Sequence, residues 1–301
     1  MVLVKKKDGS LRFCIDYRRL NEACRKDLYP LPRIDSCMDA MTGACWFSTF
    51  DIRTGYHQVK MDPSSAEKTT FITREGTFKF HVMPFGLTGE LATFQRLMAA
   101  LNLEICLVYL DDIVIFASEV HEHLKRLRAI FERLRGARLK LKPSKCKMFQ
   151  KSVSFLGHVI SERGVATDAG KLKIVVTWPV PSCIRDMRLF FGLCSYYRRF
   201  VHNFADIAAP LHKMTGKGVL SFIWTPACEI AFEALKTALI SSSIMAMPTD
   251  DDIYMLNTDA SDHSIGEVLS QIQSVEERVI AYESRTYSKA ERTIVRHARN
   301  C

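Results

Sequence analysis

Two adjacent carboxylates, Asp111 and Asp112, interrupt the apolar stretch Cys106–Phe116. The runs on either side are strand-length and the second is β-branched, which predicts a β-hairpin with both aspartates at its turn. Two unit charges ~4 Å apart near a protein surface repel by roughly 4 kcal/mol, and no Lys or Arg lies within the stretch to offset this. Positive charge must therefore come from elsewhere. The plain alternative is that Asp tolerates turn geometry and the pair merely closes a hairpin; the stretch alone leaves both readings open. A third carboxylate, Asp51, ends the buried-strand pattern Trp46–Asp51, where it is either a cap for the next turn or a catalyst. Carboxylates on neighbouring strands jointly hold hard cations, and Mg²⁺ prefers a few of them together with substrate phosphates. Two such ions clamp the attacking and leaving oxygens of an in-line phosphoryl displacement. That chemistry needs no nucleophilic side chain, and the sequence holds no G-x-S-x-G elbow, Walker loop or H-E-x-x-H helix.

The elements that position these carboxylates follow from pattern. Val2–Lys6 and Leu11–Ile15 predict a hairpin with a basic tip at Lys5, Lys6, Lys7 and Arg12, either a solvated turn or a grip on a phosphate chain. Residues 33–41 predict a helix stopped by Thr42-Gly43, and strands are predicted at Thr69–Thr73 and Phe78–Val82. A Pro84-Phe85-Gly86 break precedes a helix over residues 91–100, which feeds the carboxylate hairpin. An amphipathic helix follows over residues 119–135. The segment 138–151 then alternates Lys and Arg with Leu139, Leu141 and Phe149, which suits a surface tracking a phosphate backbone or a plain edge strand. Helices are predicted over 168–177, 182–195, 204–214 and 226–241, and strands return at Ile253–Thr258 and Val268–Gln273, with Asp259 at a strand end.

A length of 301 residues with 48% hydrophobic content makes a disordered tail untenable. The net charge of +9 favours a polyanionic partner such as nucleic acid. Ten cysteines with no C-x-x-C pair predict reduced thiols in an intracellular protein. No run has the length of a signal peptide core or a bilayer span, so neither secretion nor a membrane is expected.

In order along the chain, the blocks VLVKKKDGSLRFCIDYRRLN, YPLPRID, FSTFDIRTGYHQ, MPFGLT, ATFQRLM, YLDDI, LKLKPSKC, FLGHVIS, YYRRF and TDAS make the sequence recognisable. It resembles the reverse transcriptase of gypsy-type LTR retrotransposons. The resemblance implies an α+β, right-hand polymerase fold, with fingers and palm in 1–160, a helical thumb and connection in 161–247, and a truncated ribonuclease H-like α/β fragment in 248–301. It implies an RNA-directed DNA polymerase, part of a Pol polyprotein, that extends a primer on an RNA or DNA template with dNTPs. Other Pol or Gag products are implied as partners, and a cytoplasmic virus-like particle or the nucleus as location. Asp51, Asp111 and Asp112 correspond to the catalytic carboxylates that bind Mg²⁺, with Mn²⁺ as a substitute. Lys6, Arg12, Tyr56 and Phe85 correspond to nucleotide-binding positions. Phe155, Leu156, Gly157 and His158 resemble a primer-gripping turn, and Arg198 and Arg199 lie where the thumb meets the duplex. Asp259 corresponds to the first ribonuclease H carboxylate; Ala298 and Asn300 stand where acidic residues are usual, so ribonuclease H activity is not expected. The sequence departs from the family at Gly89-Glu90-Leu91, in place of Asn-Ala-Pro, and is shorter between Met98 and Cys106. The Gly89-Glu90-Leu91 change, with the truncated ribonuclease H-like region, motivates the alternative of an inactive nucleic-acid-binding remnant; a metal-dependent nuclease is a third reading.

Overall fold

A computed structural model of the chain describes residues 2–5, 9, 11–100, 105–216, 221–250, 252–261, 263–288 and 290–291. It divides into two compact units, one of residues 1–37 and 43–153, the other of residues 38–42 and 154–301.

The first unit begins with the antiparallel hairpin β1 (Val2–Lys5) and β2 (Leu11–Cys14), then the short helices α1 (Arg18–Ala23) and α2 (Ile34–Asp39). Strand β3 (Trp46–Asp51) leads through a 3₁₀ turn, Gly55–Gln58, and helix α3 (Pro63–Ala66) to a second hairpin, β4 (Phe71–Thr73) and β5 (Gly76–Phe78). Helix α4 (Glu90–Ala99), strands β6 (Leu107–Tyr109) and β7 (Asp112–Ala117), helix α5 (Val120–Gly136) and strand β8 (Lys147–Gln150) complete it. One sheet of order β6-β7-β3-β8 organises the unit. Residues 113–117 of β7 are all buried, which their unbroken apolar character requires, because α5 covers one face of the sheet and α4 braces its end. Phe50, Phe94, Met98, Ile113, Ile115 and Ile130 form the core of this packing. Burying each such side chain contributes about 1.5–3 kcal/mol.

The boundary between the units falls within β9 (Ser152–Phe155), which with β10 (His158–Ser161) and β11 (Gly164–Thr167) makes a sheet of order β11-β10-β9. Helices α6 (Ala169–Val176), α7 (Ile184–Tyr196), α8 (Phe204–Thr215) and α9 (Pro226–Ile240) follow, and the antiparallel meander β12 (Tyr254–Ala260), β13 (Ser264–Gln273) and β14 (Glu276–Thr286) closes the second unit. Caps fix two of the helix starts. Asp168 accepts from the Gly170 N–H at 2.7 Å, and Thr225 accepts from the Cys228 N–H at 3.3 Å, with Pro226 in the first helical position.

Gly164 must be glycine, because it adopts φ 128° and a Cβ there would stand 2.1 Å from the Met245 carbonyl oxygen. That carbonyl accepts the Val165 N–H at 2.8 Å, so the clash has no soft side. Gly164→Ala is expected to cost about 2–4 kcal/mol through clash and backbone strain. In a thermal melt this appears as a fall of roughly 10 °C.

Several expectations need correction. The predicted strand Phe78–Val82 is displaced: a tight turn at Arg74-Glu75 pairs Thr73 with Gly76, so β5 ends at Phe78. The next residues pair elsewhere, with Lys60 bridging Val82 and the Met83 N–H donating to the Val59 carbonyl at 2.9 Å. Helix α2 stops two residues early, where the Met41 and Thr42 N–H groups make tighter three-residue turns. The carboxylate hairpin turns at Leu110 and Asp111, not at both aspartates, because Leu110 takes φ 54° and Tyr109 pairs with Asp112. Strand β14 carries no apolar alternation in the sequence and forms by pairing with β13.

Candidate active site

Strand β3 delivers Asp51 to the end of the central sheet, and the β3–β7 register sets Asp51 directly opposite Asp112. Directly paired residues on adjacent strands share a face, so both carboxylates leave the sheet on one side. Asp111 occupies the hairpin turn beside them, and its carbonyl accepts the Ile52 N–H at 3.3 Å. Its carboxylate lies over Gly55, where a Cβ would stand 2.6 Å from Oδ1 and 2.8 Å from the Phe94 ring.

The missing positive charge arrives from far along the chain. Lys145, at the end of a 3₁₀ turn over Pro143–Lys145, places its Nζ 2.6 Å from Asp51 Oδ2. The segment before it runs alongside the exit of β3: the Lys142 N–H donates to the Asp51 carbonyl at 2.9 Å, and Leu141 bridges Ile52. Gln58 fastens this segment, accepting from the Lys140 N–H at 2.6 Å and donating to the Lys140 carbonyl at 3.0 Å. A cleft of about 390 Å³ results, lined by Asp51, Arg53, Gly55, Phe85, Asp111, Lys142 and Lys145 among others.

Asp112 is reached by solvent, yet the protein packed round its base pushes its carboxyl above the usual range. The neighbouring charge of Asp51 adds to the rise and Lys145 opposes it. Between the ordinary value of 3.8 and this raised one, the folded chain holds a proton that the unfolded chain has lost, so ionising Asp112 costs stability as pH rises. Asp112→Asn is therefore expected to melt at a higher temperature than the unaltered chain at pH 7 without added metal. The difference should close as pH falls below 3.8.

A buried glutamine holds the hairpin in register. Gln95, on α4, donates from Nε2 to the Val108 carbonyl at 3.2 Å and accepts the Leu110 N–H at 3.0 Å. The sequence marks Gln95, Lys142 and Lys145 only as members of family blocks, the two lysines also within a basic alternation. Their partners are distant in the chain and left no local signal. The loop that lacks the family's proline is braced by Asn21, which donates to the Gly86 carbonyl at 2.8 Å and accepts from the Thr88 N–H at 2.9 Å. Glu90 turns back onto the Gly86 N–H at 2.9 Å, in the first turn of α4 where the helix dipole favours a negative charge.

Of the nucleotide-binding candidates, Phe85 lines the cleft, whereas Tyr56 is buried behind it, edge-on to Phe85 at 5.4 Å and to Phe94 at 5.1 Å. Arg12 lies on β2 opposite Val4; Lys6 and the Arg12 side chain fall outside the described residues.

The second unit gathers the other candidates. Leu156 and Gly157 form a two-residue turn with φ 49° and 81°. The Tyr196 hydroxyl donates to the Leu156 carbonyl, and that of Tyr197 to the Gly157 carbonyl at 2.9 Å. His158 is buried between Tyr196 and Phe200, with ring centroids at 5.4 and 5.6 Å, and Phe155 is buried as well. Arg198 pairs with Glu283 at 3.2 Å, and Arg199 donates to the Ile280 carbonyl at 3.4 Å, so both engage β14. Asp259 is exposed on β12, and Ala298, Asn300 and Cys301 lie outside the described residues.

Residues 4–160, more than half of the chain, match the family described as reverse transcriptase (RNA-dependent DNA polymerase). The chain belongs to the reverse transcriptase family. Residues 224–301 match the RNase H-like domain found in reverse transcriptases. The Pol polyprotein from transposon 297 of Drosophila melanogaster is 40% identical over 281 residues, a match that covers 90% of this chain and 26% of the polyprotein. The gypsy Pol polyprotein of the same organism is 34% identical, over 96% of this chain and 29% of the polyprotein. This reverse transcriptase chain thus spans about a quarter of the length of the curated relatives it matches. A foamy viral protease-reverse transcriptase, solved in complex with double-stranded DNA, aligns with TM-score 0.88 and 23% identity over 96% of this chain and 51% of that one. The chain therefore has the right-hand polymerase fold with ribonuclease H-like strands.

Among the described residues, no group of three or more His, Cys, Asp or Glu side chains is gathered as a finished metal centre. The Asp51 carboxylate is turned onto Lys145, whose ammonium stands in for a cation. The donors available at this corner, three carboxylates, suit a hard divalent ion. Among the described residues no helix is long and apolar enough to cross a membrane.

Proposed function

We propose that this chain is the polymerase segment of a gypsy-type retrotransposon Pol polyprotein, an RNA-directed DNA polymerase that extends a primer with dNTPs. The observation that carries this reading is the meeting of Asp51 and Asp112 in register on adjacent strands, with Asp111 at the adjoining turn and a basic cleft alongside. Asp51, Asp111 and Asp112 would hold Mg²⁺, or Mn²⁺ in its place. Bound there, the ions would neutralise charge on the transferring phosphoryl group and its leaving group.

The chain's own residues do the rest. Arg53, Lys142 and Lys145 line the same cleft as Asp51, so a polyphosphate entering it meets three cations. Lys145 holds Asp51 Oδ2 at 2.6 Å and would have to give up that oxygen for Asp51 to serve as a metal ligand. Phe85 offers a flat apolar wall for a nucleoside, stiffened from behind by Tyr56. Lys6 and Arg12 contact the triphosphate in this reading. The Leu156-Gly157 turn, seated on buried Phe155 and His158, acts with Arg198 and Arg199 on the primer-template duplex, and residues 1–160, 161–247 and 248–301 serve as fingers and palm, thumb and connection, and ribonuclease H-like region. The template-primer and dNTPs are the partners, with other Gag or Pol products in the assembled particle.

The test is extension of a labelled DNA primer on an RNA template. Longer products are expected on adding Mg²⁺ or Mn²⁺ and should cease on adding a chelator. A chain that binds the template-primer but never lengthens it would leave the inactive-remnant reading standing, and shortened products would favour a nuclease.

A further inference from the structure

Helix α5 buries His123, Leu127, Ile130 and Leu134 against the sheet, yet a second apolar stripe on the same helix is left in solvent. Val120, Leu124 and Phe131 are 42%, 50% and 38% exposed, on the flank next to the buried face. Across from them on edge strand β8, Met148 and Phe149 are 45% and 36% exposed. Leu124, Phe131, Met148 and Phe149, with Leu127, floor an open groove of about 800 Å³ whose rim carries His121, Lys125, Arg128 and Arg135 against one acid, Glu132. The groove lies wholly within the first unit and does not include the catalytic carboxylates.

The groove is held open by a strained backbone. In a regular strand, neighbouring residues face opposite ways, so Met148 and Phe149 would not share a surface. Here Phe149 adopts φ 51°, the β3–β8 register shifts beside it, and both side chains line the groove. The left-handed conformation is unfavourable for a residue that carries a Cβ. A buried polar pair offsets it: the Phe149 N–H donates to Ser48 Oγ at 3.1 Å, and the Ser48 hydroxyl shares a 2.7 Å hydrogen bond with His123 Nε2. Neither Ser48 nor His123 is reached by solvent, so this pair serves the shape of the surface above it.

We propose that the α5–β8 groove is a docking site for an acidic amphipathic helix of a partner protein. The occupant follows from the lining. Leu124 and Phe131 are two turns apart, the spacing that apolar residues at i, i+4 and i+7 of a packed helix match. Three cationic side chains against one anionic complement Asp and Glu on the flanks of that helix. A nucleic acid strand fits less well. The Phe131 ring is already stacked on Phe50 at 5.1 Å and Phe149 is edge-on to His123 at 5.2 Å, which leaves Leu and Met where a base would need a flat face. A second copy of this chain brings the same net charge of +9 to a basic rim and is repelled.

The probe is a synthetic helical peptide with Leu at i, i+3, i+4 and i+7 and Glu on its flanks, compared with a scrambled peptide of the same composition by fluorescence anisotropy. Saturable binding of the helical peptide alone is expected, weakened about tenfold or more by Leu124→Glu and by Met148→Glu. Both positions are half-exposed, and unchanged circular dichroism and primer extension would show that these variants fold. The proposal is overturned if the two peptides bind alike, if neither binds, or if the variants bind as the unaltered chain does. It is equally overturned if single-stranded RNA displaces the peptide and loses affinity in the same variants, or if Leu124→Glu abolishes a concentration-dependent dimer.

Discussion

An Asp111→Asn chain is expected to bind template-primer as the unaltered chain does and to extend it about 10³-fold more slowly, the scale of losing one charge-stabilising group at a reacting centre. The substitution is nearly isosteric, and the carboxylate it replaces touches the edge of the Phe94 and Gly55 packing without building it. The main-chain bond from the Ile52 N–H to the residue 111 carbonyl is untouched. Fold and duplex binding should therefore survive while the charge count of the site falls by one. Filter binding and single-turnover extension on the same preparation separate the two effects.

Gly55→Ala is expected to impair extension by about a hundredfold without any change of charge. The added methyl would meet Asp111 Oδ1 at 2.6 Å and the Phe94 ring at 2.8 Å, and Phe94 is fully buried in the core that supports the hairpin. Neither neighbour yields freely, so the hairpin tip must shift. Overpacking of this kind costs about 1–3 kcal/mol. A displacement near 1 Å at a reacting centre is worth about 10² in rate. Rapid-quench measurement should show the loss in the maximal rate of nucleotide addition, with a melting temperature lowered by only a few degrees.

Both effects depend on contacts that the sequence reveals unevenly. The strands that carry Asp51 and Asp112 are legible because β7 is an unbroken apolar run after Asp112 and β3 is a short aromatic-rich one, both of strand length. The helices of the second unit are legible for the same reason: their apolar residues recur at helical spacing, and Asp168, Thr225 and Pro226 announce two of the starts. What supplies charge and register to the site was not legible. Lys145 meets Asp51 across 94 positions, and Gln58 meets Lys140 across 82. No local pattern encodes either pairing. The same holds for β14, whose charged residues hide a strand that exists because β13 offers it an edge. The turn falls at Leu110 although Asp suits turns better than Leu does. Register with β3, fixed by six successive residue pairs, outweighs that preference.

The departure at Gly89-Glu90-Leu91 has a physical answer in the same terms. A proline there would stiffen the entry to α4; here Asn21 and Glu90 tie the loop through hydrogen bonds to Gly86 and Thr88 instead. Gln95 then keys α4 to the hairpin from inside the core. The loop is thus tied by exposed hydrogen bonds, and the carboxylate hairpin by a buried glutamine.

The most direct measurement is single-nucleotide addition to a DNA primer annealed to RNA templates that differ at one base, with Mg²⁺ and each dNTP in turn. Addition of the complementary nucleotide alone, following each change of template base, is the expected result. Addition indifferent to the template base, or none at all from a chain that binds the primer-template, would contradict the assignment of Asp51, Asp111 and Asp112 to templated DNA synthesis.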